Sequence, residues 1–136
     1  MSYSLSLYRF SGGELAEPDM DVVRAVLSPV RAGREKVGDG VTEYWIRAAD
    51  GSEAEVGIFD SFVSVENPQA GDVWKIVIEL TDRLSAGILI PSGAFLCPEG
   101  MRAQLPKGME DDSVFVPAIT LAAFERAAGP FTNPLT

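Results

Sequence analysis

The stretch Asp72 to Ile90, DVWKIVIELTDRLSAGILI, constrains this chain more than any other. At about 100° per residue, Val73, Trp74, Ile76, Val77, Ile78, Leu80 and Leu84 fill an arc of roughly 200°, while Lys75, Glu79, Asp82 and Arg83 share the rest. A surface helix needs an apolar stripe of only about 100°, so this helix is expected to lie between a sheet and a second covering element. Asp72 is placed to cap its start, and Lys75 and Glu79 stand one turn apart on the wet side. Ser85-Ala-Gly87 ends it, and Ile88-Leu-Ile90 reads as a buried strand stopped by Pro91.

Ser2 to Phe10 alternates: Tyr3, Leu5 and Leu7 on one side, Ser2, Ser4 and Ser6 on the other, the pattern of a strand with one wet face. Tyr8 and Phe10 continue the serine side and place two rings there. Ser11-Gly-Gly13 breaks the strand, and Glu14 to Pro18 reads as an acidic connection. Asp19 is positioned to cap a short helix over Met20 to Ser28, which Pro29 ends or kinks. Arg31 to Gly40 reads as a solvated loop, in which Glu35 interrupts the basic cluster of Arg31, Arg34 and Lys36.

Val41–Ala48 and Glu53–Phe59 flank Ala49-Asp-Gly-Ser52, a hairpin signal. Tyr44, Ile46 and Ala48 form one apolar set, and Ala54, Val56 and Ile58 the other. A strict two-residue Asp50-Gly51 turn would oppose Ile46 to Glu55, so a three-residue loop or bulge is expected. Ile46 would then face Val56, Arg47 would oppose Glu55, and Trp45 would cover Gly57. Phe62 to Val65 prolongs this strand or begins another. Ala94 to Cys97 reads as a strand, Pro98 to Leu105 as one or two helical turns, Val114 to Val116 as a strand, and Pro117 to Ala128 as a last helix.

The order β-α-β-β-α-β through residue 97 resembles a ferredoxin-like arrangement, which implies an antiparallel or mixed sheet with its helices mainly on one face and the other face open. The expected class is α+β, with a C-terminal strand-helix extension. A length of 136 residues suits a single domain over 1–136, and 129–136 reads as a frayed tail.

Composition removes whole classes of chemistry. Histidine is absent, which eliminates Ser-His and Cys-His nucleophiles and the commonest metal ligand. Cys97 is the only cysteine, so no internal disulfide or thiolate zinc site can form within one chain. Glu110-Asp-Asp112 lacks calcium-loop spacing, and the glycines match no phosphate-binding fingerprint. Neither a cofactor nor a metal is therefore expected. No apolar run approaches the ~20 residues of a membrane span, and the N-terminus lacks a signal peptide's features. A cytoplasmic protein is expected, and an arginine excess over lysine with plentiful alanine and glycine suits a GC-rich bacterial genome.

Eleven basic residues against twenty acidic ones, net charge −9, disfavour nucleic acid and favour a cationic partner. On the open face the expected binding surface is Tyr8, Phe10, Glu43, Trp45, Arg47, Glu53, Glu55 and Phe59. The ordinary reading of those residues is a solvated, charge-paired sheet or one covered by the chain's own C-terminal third. The functional reading is a small, acidic, non-catalytic binding protein that docks a basic protein, in the manner of immunity or antitoxin proteins, or docks a second copy of itself. The alternative is a small-molecule-binding domain or histidine-free enzyme with its pocket on that face.

Overall fold

The alternating segment near the N-terminus becomes the middle of a sheet rather than its edge. A computed structural model of the chain describes residues 3–33, 36–38, 40–91 and 93–128. Its elements are β1 (Ser4–Ser11), β2 (Glu14–Ala16), α1 (Met20–Leu27), β3 (Lys36–Gly38), β4 (Val41–Arg47), β5 (Glu53–Phe59), β6 (Val63–Glu66), α2 (Val73–Arg83), β7 (Gly87–Leu89), β8 (Phe95–Pro98), β9 (Ser113–Val116) and α3 (Leu121–Ala128). The sheet order is β3-β4-β5-β6-β1-β7-β8-β9, with β2 paired to β1. Neighbours run antiparallel except β8 and β9, which are parallel.

The fold is therefore α+β with a mixed sheet and few helices, but its strand order differs from the four-stranded ferredoxin-like one. β6 stands between β1 and β5, because the chain reverses tightly after Phe59, whose N–H donates to the Phe62 carbonyl at 2.9 Å. Two segments expected to be irregular also pair. Glu14–Ala16 folds back on β1 as β2, and Lys36–Gly38 lies beside β4 as an edge strand. In both, the backbone gains ladder bonds that a polar sequence pattern does not advertise. The expectations for Ser2, for Arg34 and Glu35 in the basic cluster, and for the tail 129–136 lie outside the described residues.

Leu5 and Leu7 of β1, Tyr44 and Ile46 of β4, Val56 of β5 and Ile88 of β7 face one side of the sheet, where all three α-helices among the described residues pack. α2 is covered from both flanks, as its wide apolar arc requires. It packs against α1, and Trp74 stacks on Phe124 of α3 with ring centroids 5.2 Å apart. Asp19 caps α1 as expected, its Oδ1 accepting from the Asp21 N–H at 2.9 Å. No helix among the described residues is long and apolar enough to cross a membrane.

The cap of α2 is a correction. The Asp72 side chain accepts no capping bond; it pairs with Lys75 at 3.4 Å. The free amides at the helix start are met from the β4–β5 turn instead. Asp50 Oδ2 accepts from the Asp72 N–H and Ser52 Oγ accepts from the Val73 N–H, each at 2.9 Å. Gly71 makes this approach possible: at φ +133° it takes a conformation L side chains avoid, and a Cβ there would lie 2.5 Å from Asp50 Oδ2.

The hairpin has the expected three-residue loop, but one step earlier along the chain. Ala48 and Ser52 close Ala49-Asp50-Gly51 through a 2.8 Å backbone bond. Ile46 consequently faces Ala54, Arg47 faces Glu53, Trp45 faces Glu55, and Glu43 faces Gly57. Inward and outward sets are as expected, since both registers keep apolar residues together. What selects this one is Asp50, which must sit at the tip to reach the Ser52 amide at 3.0 Å and the start of α2.

Candidate functional site

The sheet face opposite the α-helices divides into two halves. Over β7, β8, β9 and the end of β1, a 3-10 helix at Glu99–Gln104 and a second at Met109–Asp112 lie across it. Phe10, Phe95, Cys97 and Met101 form a small second core there, with Tyr8, Leu89, Leu105, Met109 and Phe115 packed around it. The cover is fastened at several points. Met101 Sδ accepts from the Phe10 N–H at 3.2 Å, Gln104 Oε1 accepts from the Gly12 N–H at 2.7 Å, and the Arg102 guanidinium lies 3.6 Å over the Phe115 ring. Burial pushes the Cys97 thiol up to about 11, so it is not a nucleophile at neutral pH.

Over β4, β5 and β6 no described residue lies across the face. Trp45 is 45% exposed there, against 8% for Phe10 beneath the cover. Among the described residues the C-terminal third covers one half only, and α3 packs on the other side of the sheet against α2. Phe10 is a correction to the expected open surface: its ring meets Phe95 edge-on at 5.8 Å inside the second core. Tyr8 stands at the boundary, half-buried, with centroids 6.2 Å from Phe10 and 5.6 Å from Phe62. Phe59 stacks face to face on Phe62 at 4.6 Å, so a line of rings runs from the open half into the covered one.

The register builds a trough on the open half. Trp45, Glu55 and Glu66 lie directly across from one another on β4, β5 and β6. One step along, Glu43, Gly57 and Ser64 lie across the same strands, and Val41 faces Phe59 beyond them. Gly57 and Ser64 in the middle row, with larger residues on either side, leave a groove of about 360 Å³. Gly57 keeps its floor low: a Cβ there would lie 2.9 Å from Ser64 Oγ and 3.3 Å from the Phe59 ring.

Charges on this half are unbalanced. Arg47 Nε binds Glu53 Oε2 at 2.6 Å, and that bond, with help from the Trp45 indole N–H, holds the Glu53 carboxyl below its ordinary range. Among the described residues no cation lies within ion-pair distance of Glu43, Glu55 or Glu66, although Lys36 stands across from Glu43 on β3. Glu55 and Glu66 are directly opposed, a placement that destabilises a sheet. Glu53 and Arg47 thus form a closed pair at one end of the surface, while Glu43, Glu55, Trp45 and Phe59 line the trough.

Lys36, Ser64, Glu66 and Phe62 complete this surface and were not expected on it. Alternation of Val63 and Val65 with Ser64 and Glu66 carries the signal for two of them; their neighbours across the sheet follow only from the register. Among the described residues no group of three His, Cys, Asp or Glu side chains is disposed to hold a metal ion. No protein-family model, curated protein or solved structure matches this chain.

Proposed function

We propose that this chain is a non-catalytic binding protein whose open sheet face docks a basic protein. The observation that carries the reading is the directly opposed pair Glu55 and Glu66, unneutralised among the described residues and flanked by the exposed Trp45 indole. Like charges across a strand pair cost stability, and a cationic side chain seated between them would turn that cost into affinity. An indole face beside the carboxylates adds a cation–π contact to the same side chain. A second copy fits less well, because an isologous interface through this face would set one acidic patch against another. Neutralisation of a basic toxin, as immunity and antitoxin proteins do, is one form this reading takes.

The test is isolation of complexes from native lysate over a salt series, repeated with Glu55→Lys and Trp45→Ala. The expected partner is basic, is released as salt rises, and is lost with both variants. Retention of no partner at low salt, or equal retention by the variants, overturns the reading. The trough also favours a second reading, a small cationic ligand seated at Gly57. A melting-temperature rise with spermidine or arginine, abolished by Gly57→Ala, would support that ligand over a protein partner.

A further inference from the structure

The Gly57 floor of the trough has unlike sides. Trp45, Glu55 and Glu66 stand along one, Val41 and Phe59 along the other, and Glu43 and Ser64 flank Gly57 on its own row. The Phe59 ring leans over the floor, with its edge 3.3 Å from where a Gly57 Cβ would stand. A cation resting on Gly57 therefore meets carboxylates on one side and at one end, and a ring on the other side. Lys36 is the only lysine or arginine lining the groove among the described residues; it stands across from Glu43 and enters no ion pair there. One lysine against three carboxylates leaves two charges unmatched.

The indole is turned in a way that its ordinary role does not require. A tryptophan beside a sheet glycine ordinarily covers it, and Trp45 would then lean toward Gly57. Its N–H is directed instead to the Glu53 carboxylate, on the far side of Glu55 from Gly57, where Arg47 binds Glu53 at 2.6 Å. Trp45 lines the groove, and Glu53 and Arg47 do not. An indole attracts a cation with its face and repels one with its N–H edge, so a ring whose N–H is engaged behind the wall presents carbon to the groove.

We infer that the trough selects an arginine side chain over a lysine, with Trp45 and the opposed Glu55 and Glu66 as the selecting residues. This deepens the docking proposed above and rests on it. Directly opposed residues of an antiparallel pair have Cβ atoms about 4.5–5.5 Å apart, and both carboxylates line the same groove. A guanidinium carries five N–H donors in one plane, so it bonds two carboxylates at once while its flat face lies against the indole. An ammonium is a compact, strongly hydrated point charge with no flat face, and it gives up more water to enter beside a ring. Glu53 is a positioning residue: it lies outside the groove and fixes the indole that lines it.

The experiment titrates the full chain with the blocked tripeptide acetyl-Gly-Arg-Gly-amide and its lysine and citrulline counterparts, followed by amide NMR shifts. The arginine peptide is expected to shift the Glu55, Gly57 and Ser64 amides and to bind at least about fivefold more tightly than the lysine peptide. Citrulline keeps the planar shape without the charge and is expected to shift nothing. Glu53→Gln keeps an acceptor for the indole N–H and Glu53→Ala removes it, while both delete the same charge. The arginine-to-lysine ratio is expected to persist in Glu53→Gln and to fall in Glu53→Ala. Equal binding of the two peptides, shifts located elsewhere, no shift with either, or a ratio that Glu53→Ala leaves unchanged would overturn the assignment. Partner retention from lysate judges the docking reading separately. A retained basic partner with equal peptide binding overturns arginine selection alone, and selective peptide binding with no retained partner overturns the docking reading alone.

Discussion

Along the row Lys36, Glu43, Gly57, Ser64, Ser6, Leu89 and Phe95, residues directly opposed on successive strands, side chains are charged or small as far as β1 and apolar beyond it. The change coincides with the edge of the cover formed by residues 99–112. Where the chain crosses its own sheet, rings and sulfur fill the row and become core. On the other half an indole and, beside the Arg47–Glu53 pair, three carboxylates in no ion pair among the described residues face outward. Exposure there is a property written into one half of a face, since the same chain closes the other half with short helical turns.

Truncating a ring on each side is the strongest way to break this comparison. Phe95 is 1% exposed, and Phe95→Ala is expected to cost about 3–5 kcal/mol in urea melts. Trp45→Ala is expected to change stability by less than about 1 kcal/mol. Equal costs would mean that the open half is structural after all.

Two glycines sharpen it further. A Cβ on Gly87 would lie 2.5 Å from the Leu96 carbonyl oxygen, a backbone atom that cannot yield, so Gly87→Ala is expected to destabilise by about 1–3 kcal/mol. On Gly57 the nearest atom is the Ser64 hydroxyl, which can rotate away. Gly57→Ala should therefore melt close to the parent while losing whatever occupies the trough, measured by the same urea melt and by partner retention.

Acid should act on the hairpin that carries the open half. Bonds from the Ser52 hydroxyl and then the Asp72 amide hold the Asp50 carboxyl at about 2, below its ordinary 3.8. A depressed value means that the contribution is complete above about pH 4 and disappears as pH falls from 3.8 through 2. Chemical denaturation at successive pH values should show this loss, and Asp50→Asn should flatten it while lowering stability at neutral pH. The smallest expected effect is that of Glu55→Gln, which relieves the opposed charges and should stabilise by at most about 1 kcal/mol while weakening a basic partner.

Much of the fold was legible because it rests on local periodicity. The arc of α2, the Asp19 cap and the alternation of β4 and β5 each follow from neighbouring residues and appear where they were expected. Register was legible only to its parity. Apolar sets can be matched by shifting two residues without exposing anything, and the shift was decided by Asp50 bonding to an amide 22 residues away. Sheet order failed for a related reason: β2 and β3 pair without an apolar pattern, and β6, whose Val63 and Val65 alternation is legible, is set between β1 and β5 by a turn that no periodicity places. Of the expected surface, Glu43, Trp45, Glu55 and Phe59 share the trough, whereas Phe10 fell under a cover that no pattern on β1 announces.

The clasp between the β4–β5 turn and the start of α2 has a consequence for recognition. Trp45 and Glu55 ride on strands whose tip is bonded to the start of a buried helix, which restrains their backbone. In the docking proposed above, association would then forfeit little chain freedom, and a preorganised face of this kind would keep more of its contact energy as affinity. Loosening Asp50 or Gly71, far from the indole, would tax binding through that lost rigidity alone.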